Sequence, residues 1–126
     1  MKFGTVLNCI DGRVQLQVNT AIREMFDIEY LDTITEAGVV KVVAEHKEAE
    51  EYNHILHLLK ISREKHDSHL IGVAAHHDCA GNPVSEEEQK EQIRVAVEFL
   101  GAQYPDCIVA GFWVDSDWKA HLISKY

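Results

Sequence analysis

Cys9-Ile10-Asp11-Gly12-Arg13 and His76-His77-Asp78-Cys79-Ala80-Gly81 are the two stretches of this chain whose residue types and spacing can do chemistry. Between them they offer two thiols and an imidazole, the soft and borderline donors that hold Zn²⁺. Cys9, His76 and Cys79 make three protein ligands and leave one tetrahedral position open, the arrangement of a zinc site that works on water. A lone Cys9 would read as a small buried hydrophobe. The His-x-x-Cys spacing of His76 and Cys79, in a turn leaving a strand, points two donors at one ion, and Cys9 at a matching strand end completes the set. His77 is the alternative imidazole, but strand alternation directs it away from His76, so His76 is the expected ligand.

Asp11 and Arg13 sit two residues apart in a tight turn, close enough for a bidentate ion pair. Two thiolates cancel the charge of a divalent ion, so water beside them is acidified less than beside three neutral imidazoles. An Asp11 kept ionised by Arg13 can accept a hydrogen bond from hydroxide on the metal and aim its lone pair at a substrate. The same carboxylate can instead turn onto the metal and expel the water. Sequence leaves both open.

These residues need elements to position them. Phe3 to Cys9 is apolar and closes on Asp11-Gly12, so it reads as a first strand. Val18, Ala21, Ile22, Met25 and Phe26 fall at helical spacing and predict a helix from about Val14 to Phe26. Glu29 to Glu36 alternates apolar and polar residues as a second strand. Val39 to His46 fits a strand by its valines and a short helix or turn equally well. Tyr52, Ile55, Leu56 and Leu59 mark an amphipathic helix within Lys47 to His66. Leu70 to Ala75 is wholly apolar, as in a strand covered on both faces. Ser85 and Glu88 form a capping box ahead of a helix whose inner face is Ile93, Ala96, Val97 and Leu100. Cys107 to Val114 is a fourth strand, and Asp115 to Tyr126 reads as either a short helix or an edge segment.

Strands alternating with helices imply right-handed crossovers and a mostly parallel sheet. The expected architecture is a single α/β domain over residues 1–126, three-layered, with strand order 2-1-3-4 and helices on both faces. In that order the first and third strands are neighbours whose crossovers leave in opposite directions. Their tips flank the topological switch point where open α/β sheets bind ligands, so the two chemical stretches meet there.

Twelve Lys and Arg against 21 Asp and Glu leave a net charge of −9, which repels phosphate backbones and argues against a nucleic-acid partner. No run approaches the ~20 apolar residues of a membrane span, and the first residues do not read as a secretory signal. The expectation is a soluble cytoplasmic protein, with no membrane partner, whose three cysteines stay reduced. Cys107 reads as core packing, the His54/His57 and His66/His69 pairs as solvated, and Glu86 to Glu88 as suiting a helix dipole. Trp113 and Trp118 read as packing, or as a cover over a pocket mouth.

Cys9-Ile10-Asp11-Gly12-Arg13 resembles the Cys-x-Asp-x-Arg motif of the β-class carbonic anhydrases, and His76-His77-Asp78-Cys79 resembles their His-x-x-Cys, in the same order. The resemblance covers most of the chain, from Phe3 to about Val114. It implies Zn²⁺ on Cys9, His76 and Cys79, a catalytic Asp11–Arg13 dyad, and reversible hydration of CO₂ to bicarbonate and a proton. It also implies a homodimer or higher homo-oligomer with the site near a subunit interface. The chain departs from the family where Gly12 stands in place of a common Ser, where Thr35-Glu36-Ala37-Gly38 replaces Arg-Asn-Ala-Gly, and in being short. The alternatives are a non-catalytic zinc protein of the same type, or the same machinery acting on a related small molecule such as carbonyl sulfide.

Overall fold

The computed structural model describes residues 2–126. Strand β1 (Phe3–Asn8) runs into a single 3₁₀ turn, Gly12–Val14, and then helix α1 (Gln15–Phe26). Strand β2 (Tyr30–Thr35) follows, then helices α2 (Val39–Glu45) and α3 (Glu50–Lys65), strand β3 (Leu70–His76), helix α4 (Glu86–Gln103), and strands β4 (Ile108–Val114) and β5 (Ala120–Lys125). Asp27, in the left-handed region with φ 53°, ends α1. Ser85 caps α4 by accepting from the Glu88 amide, as the capping box predicts.

The sheet order is β2-β1-β3-β4-β5, parallel throughout except for the antiparallel β4–β5 pair. Period-two alternation divides its residues between two cores. Leu7, Ile71, Val73, Ala75, Val109 and Trp113 face α2, α3 and α4. Val6, Leu70, Ala74, Ala110, Phe112 and Val114 face Val14, Val18 and Ile22 on the α1 side. Crossovers that leave β1 and β2 in opposite directions across the sheet must pack on opposite faces if both are right-handed. That is the arrangement seen, and it leaves the tips of β1 and β3 side by side at the switch point.

The expected order 2-1-3-4 is therefore the observed order, with a fifth strand added. Two segments left undecided by sequence are resolved. Val39 to His46 is helical: Gly38 at φ 61° breaks the extended chain, and Val39, Val40 and Val43 bury one helical face against the sheet. Tertiary burial outweighs the strand preference of the valines. The tail is an edge strand, reached through a turn in which the Asp115 carboxylate accepts from the Asp117 and Lys119 amides at 2.9 and 3.0 Å. Among the described residues no helix is long and apolar enough to cross a membrane.

Candidate metal centre

Cys9 leaves the tip of β1, His76 ends β3, and Cys79 follows in the next turn. All three are buried, and their ligand atoms lie within 4.8 Å of one another. The Cys9 and Cys79 sulfurs are 3.9 Å apart. A tetrahedral ion with metal–sulfur bonds of about 2.3 Å would separate two sulfurs by about 3.8 Å. The His76 ring is fixed by a 2.7 Å hydrogen bond from Nδ1–H to the His77 carbonyl, which can only accept. In the neutral imidazole, the form that binds a metal, that leaves the Nε2 lone pair free, and Nε2 is buried with no hydrogen-bond partner. An orphaned buried acceptor beside two thiols is what an absent cation leaves behind. The donor set fits a divalent metal.

The thiols themselves behave as a pair that shares a proton. Cys9 is pulled far below the ordinary thiol range, chiefly by its contact with Cys79; burial opposes this, and His76 with the Gly38 and Asp11 amides adds to it. Cys79 moves the other way, held protonated by Cys9 and by burial. A divalent cation would replace that shared proton, since metal ligation needs both thiolates.

The loops that carry these donors are locked from several sides. The Gln15 amide donates to the Cys9 and Asp11 carbonyls at 2.7 and 2.8 Å, which fixes the turn after β1. The Gln89 amide reaches from α4 to the His76 carbonyl at 3.0 Å. Glu36 donates its amide to Asn8 at 3.1 Å, drawing the turn after β2 against the tip of β1. There Gly38 and Gly81 touch backbone to backbone: a Cβ on Gly81 would lie 2.7 Å from the Ala37 carbonyl carbon, and one on Gly38 would lie 2.6 Å from the Gly81 oxygen. Only glycines let the two loops approach so closely.

Asp11 and Arg13 form the expected bidentate pair, with Nε to Oδ1 at 3.0 Å and Nη2 to Oδ2 at 2.7 Å. Asp11 also caps the 3₁₀ turn by accepting the Arg13 amide at 2.9 Å. The Arg13 guanidinium beside it holds the Asp11 carboxyl down to about 2. Its Oδ2 lies 3.9 Å from His76 Nε2, so the dyad borders the metal-ligand set. The His77 ring is exposed and stays outside the cluster, to which the residue contributes only its carbonyl.

Several contributors are not visible in sequence. Asp78, at φ 57°, gives Arg13 a carboxylate at 3.3 Å and a carbonyl at 3.2 Å. The Trp118 ring lies against the guanidinium, with Arg13 Cζ 4.3 Å from its centroid. Gln15 and Gln89 act through backbone carbonyls, and nothing in their spacing distinguishes them from surface glutamines. Glu36 lines an acidic cavity of about 380 Å³ with Glu50, Glu51 and His54.

At the opposite end of the strands, ahead of β3 and β4, His69, Asp106 and Cys107 also bring potential ligand atoms within 4.8 Å of one another. Arg63 already supplies a cation there, 3.1 Å from Asp106, and His69 bridges Asp67 and Asp106. That cluster is explained as an ion-pair network.

Residues 1–124 match the model of a protein family described as "Putative carbonic anhydrase". The fold is similar to the solved structure of a carbonic anhydrase from Glaciozyma antarctica, with a TM-score of 0.64 and 19% identity, covering 95% of this chain and 81% of that one. It is also similar to a solved structure from work on two tetrameric β-carbonic anhydrases of the filamentous ascomycete Sordaria macrospora, with a TM-score of 0.59 and 9% identity, covering 97% of this chain and 81% of that one. At these identities the solved structures speak for the fold. No curated protein matches the chain significantly.

Proposed function

The chain belongs to the carbonic anhydrase family matched above, and on that premise we propose that it binds Zn²⁺ through Cys9, His76 and Cys79 and catalyses the reversible hydration of CO₂ to bicarbonate and a proton. The observation that carries this reading is the orphaned His76 Nε2, buried beside two sulfurs 3.9 Å apart and bordered by an ionised Asp11. Zinc, when bound, supplies the Lewis acidity that brings the pKa of a water molecule toward the physiological range.

The protein's own groups do the rest. Cys9 and Cys79 would hold the ion as thiolates, with their remaining proton released to solvent. The His77 carbonyl keeps the His76 tautomer that presents Nε2. Asp11 is ionised at every working pH, because Arg13 holds it at about 2, so it can only accept hydrogen bonds. That forces the attacking oxygen to offer its proton to Asp11 and its lone pair to the carbon of CO₂. Arg13 donates to both Asp11 oxygens and so fixes the direction in which the carboxylate points.

A cytoplasmic setting, which keeps thiols reduced, suits the three free cysteines. Homo-oligomerisation is supported by the tetrameric β-carbonic anhydrases of similar fold and by the exposed apolar side chains of Ile10 and Leu16 beside the site. A second reading, a non-catalytic zinc protein, is favoured by one distance: Asp11 Oδ2 is near enough to the ligand set to turn onto the metal.

Stopped-flow CO₂ hydration on protein of verified zinc content separates the two. The catalytic reading predicts a rate well above buffer that rises between pH 7 and 9, as the attacking water ionises. Full zinc content with a rate equal to buffer across that range would leave only the non-catalytic one.

A further inference from the structure

The geometry points to Trp118, in the β4–β5 turn, as a positioning residue that acts on the centre through Arg13. This deepens the catalytic reading and rests on it. Arg13 is half-exposed on a short turn, and a guanidinium there ordinarily samples many rotamers. Here its edges are taken by Asp11 on one side and by Asp78 on the other, and one face is covered by the Trp118 ring at 4.3 Å. An indole is the aromatic that best holds a cation, and a planar guanidinium stacks where an ammonium would not.

The backbone supports a role beyond packing. Trp118 sits at φ 60°, in the left-handed region where a bulky aromatic is an outlier and glycine is the natural occupant. The turn is built to keep it there. The Asp115 carboxylate accepts from the Asp117 and Lys119 amides and pairs with His121 at 2.6 Å, and the Trp118 amide donates to the Asp115 carbonyl at 2.9 Å. A strained residue held by its surroundings marks a place where position matters. The ring also lies 6.5 Å from His76 and 6.2 Å from His77, so it stands over the edge of the site. On its other side it borders an open groove of about 400 Å³ lined by Leu16, Gln17 and Thr20. With that ring absent, water reaches one face of the guanidinium, Arg13 gains rotamers, and Asp11 loses its fixed direction.

The test compares W118L and W118F in the zinc-loaded, full-length protein. Leucine fills much of the volume without a π face; phenylalanine keeps the face. The Arg13 Nε–H resonance, assigned by its loss in R13K, reports the stack through its ring-current shift and its protection from exchange. The expected result is that W118L loses both signatures, keeps its zinc, and drops roughly three- to tenfold in kcat/KM for CO₂ hydration, while W118F retains most of each. Leucine and phenylalanine variants that behave alike, or a W118L protein that loses zinc, would overturn the assignment and leave Trp118 as packing. Were the wild-type protein inactive, the catalytic reading would fail, yet the Nε–H comparison would still decide whether Trp118 holds Arg13.

Discussion

At the scale of single residues, Asp11 and its partner make the sharpest claim. An ordinary aspartate titrates near ~3.9, and Arg13 holds this one at about 2. A carboxyl depressed on folding stabilises the protein above its ordinary pKa, and that stabilisation is lost as the pH falls through the folded value. D11N should therefore lower stability at pH 7, and the difference from wild type should fade between pH 4 and pH 2, which denaturant titrations at several pH values would measure. The same variant should keep its zinc and lose CO₂ hydration by roughly a hundredfold, the scale of removing one oriented polar group from a reacting centre. Unaltered activity would separate Asp11 from the chemistry. Cys9, His76, Cys79, Asp11 and Arg13 are legible in sequence because strand ends and tight turns fix where such side chains point. Asp78 and the Trp118 contact to Arg13 are not, because both exist only once the sheet is assembled; Gln15 is not, because its local bonds to the Cys9 and Asp11 carbonyls leave no mark in its spacing.

At the scale of elements, the site depends on how closely three loops can approach. The turn after β2 presses on the turn after β3 at Gly38 and Gly81, and this contact sets the distance between the Gly38 amide and Cys9 on one side and Cys79 on the other. G81A places a Cβ 2.7 Å from backbone that has no room to yield. It should destabilise the fold by about 1–3 kcal/mol and weaken metal affinity more than hydrophobic substitutions remote from the site do. Urea unfolding and competition with a zinc chelator would measure the two effects, and a variant neutral in both would show that the loops can part without consequence. Strands and long helices are readable from periodicity. Helix α2 and strand β5 are not: four valines between Val39 and Val43 carry a local strand preference that burial overrides, and β5 is recruited by the free side of β4 together with α1 and α4.

At the scale of the whole molecule, the order of strands joins residues far apart in the chain. Because β1 and β3 are neighbours with crossovers on opposite faces, Cys9 and the His76–Cys79 turn share the carboxyl end of the sheet. That much follows from right-handed crossover geometry and was predictable. The chain's surroundings in solution are less so, since the apolar residues flanking the site, Ile10 and Leu16, carry no periodic signal that separates an interface from plain exposure.

The central claim is that Cys9, His76 and Cys79 hold one zinc ion. X-ray absorption at the zinc K-edge of the purified protein tests it most directly. Two sulfur scatterers near about 2.3 Å and two lighter ones near about 2.0–2.1 Å are predicted, with one sulfur lost in C79S. A shell made only of nitrogen and oxygen would contradict it.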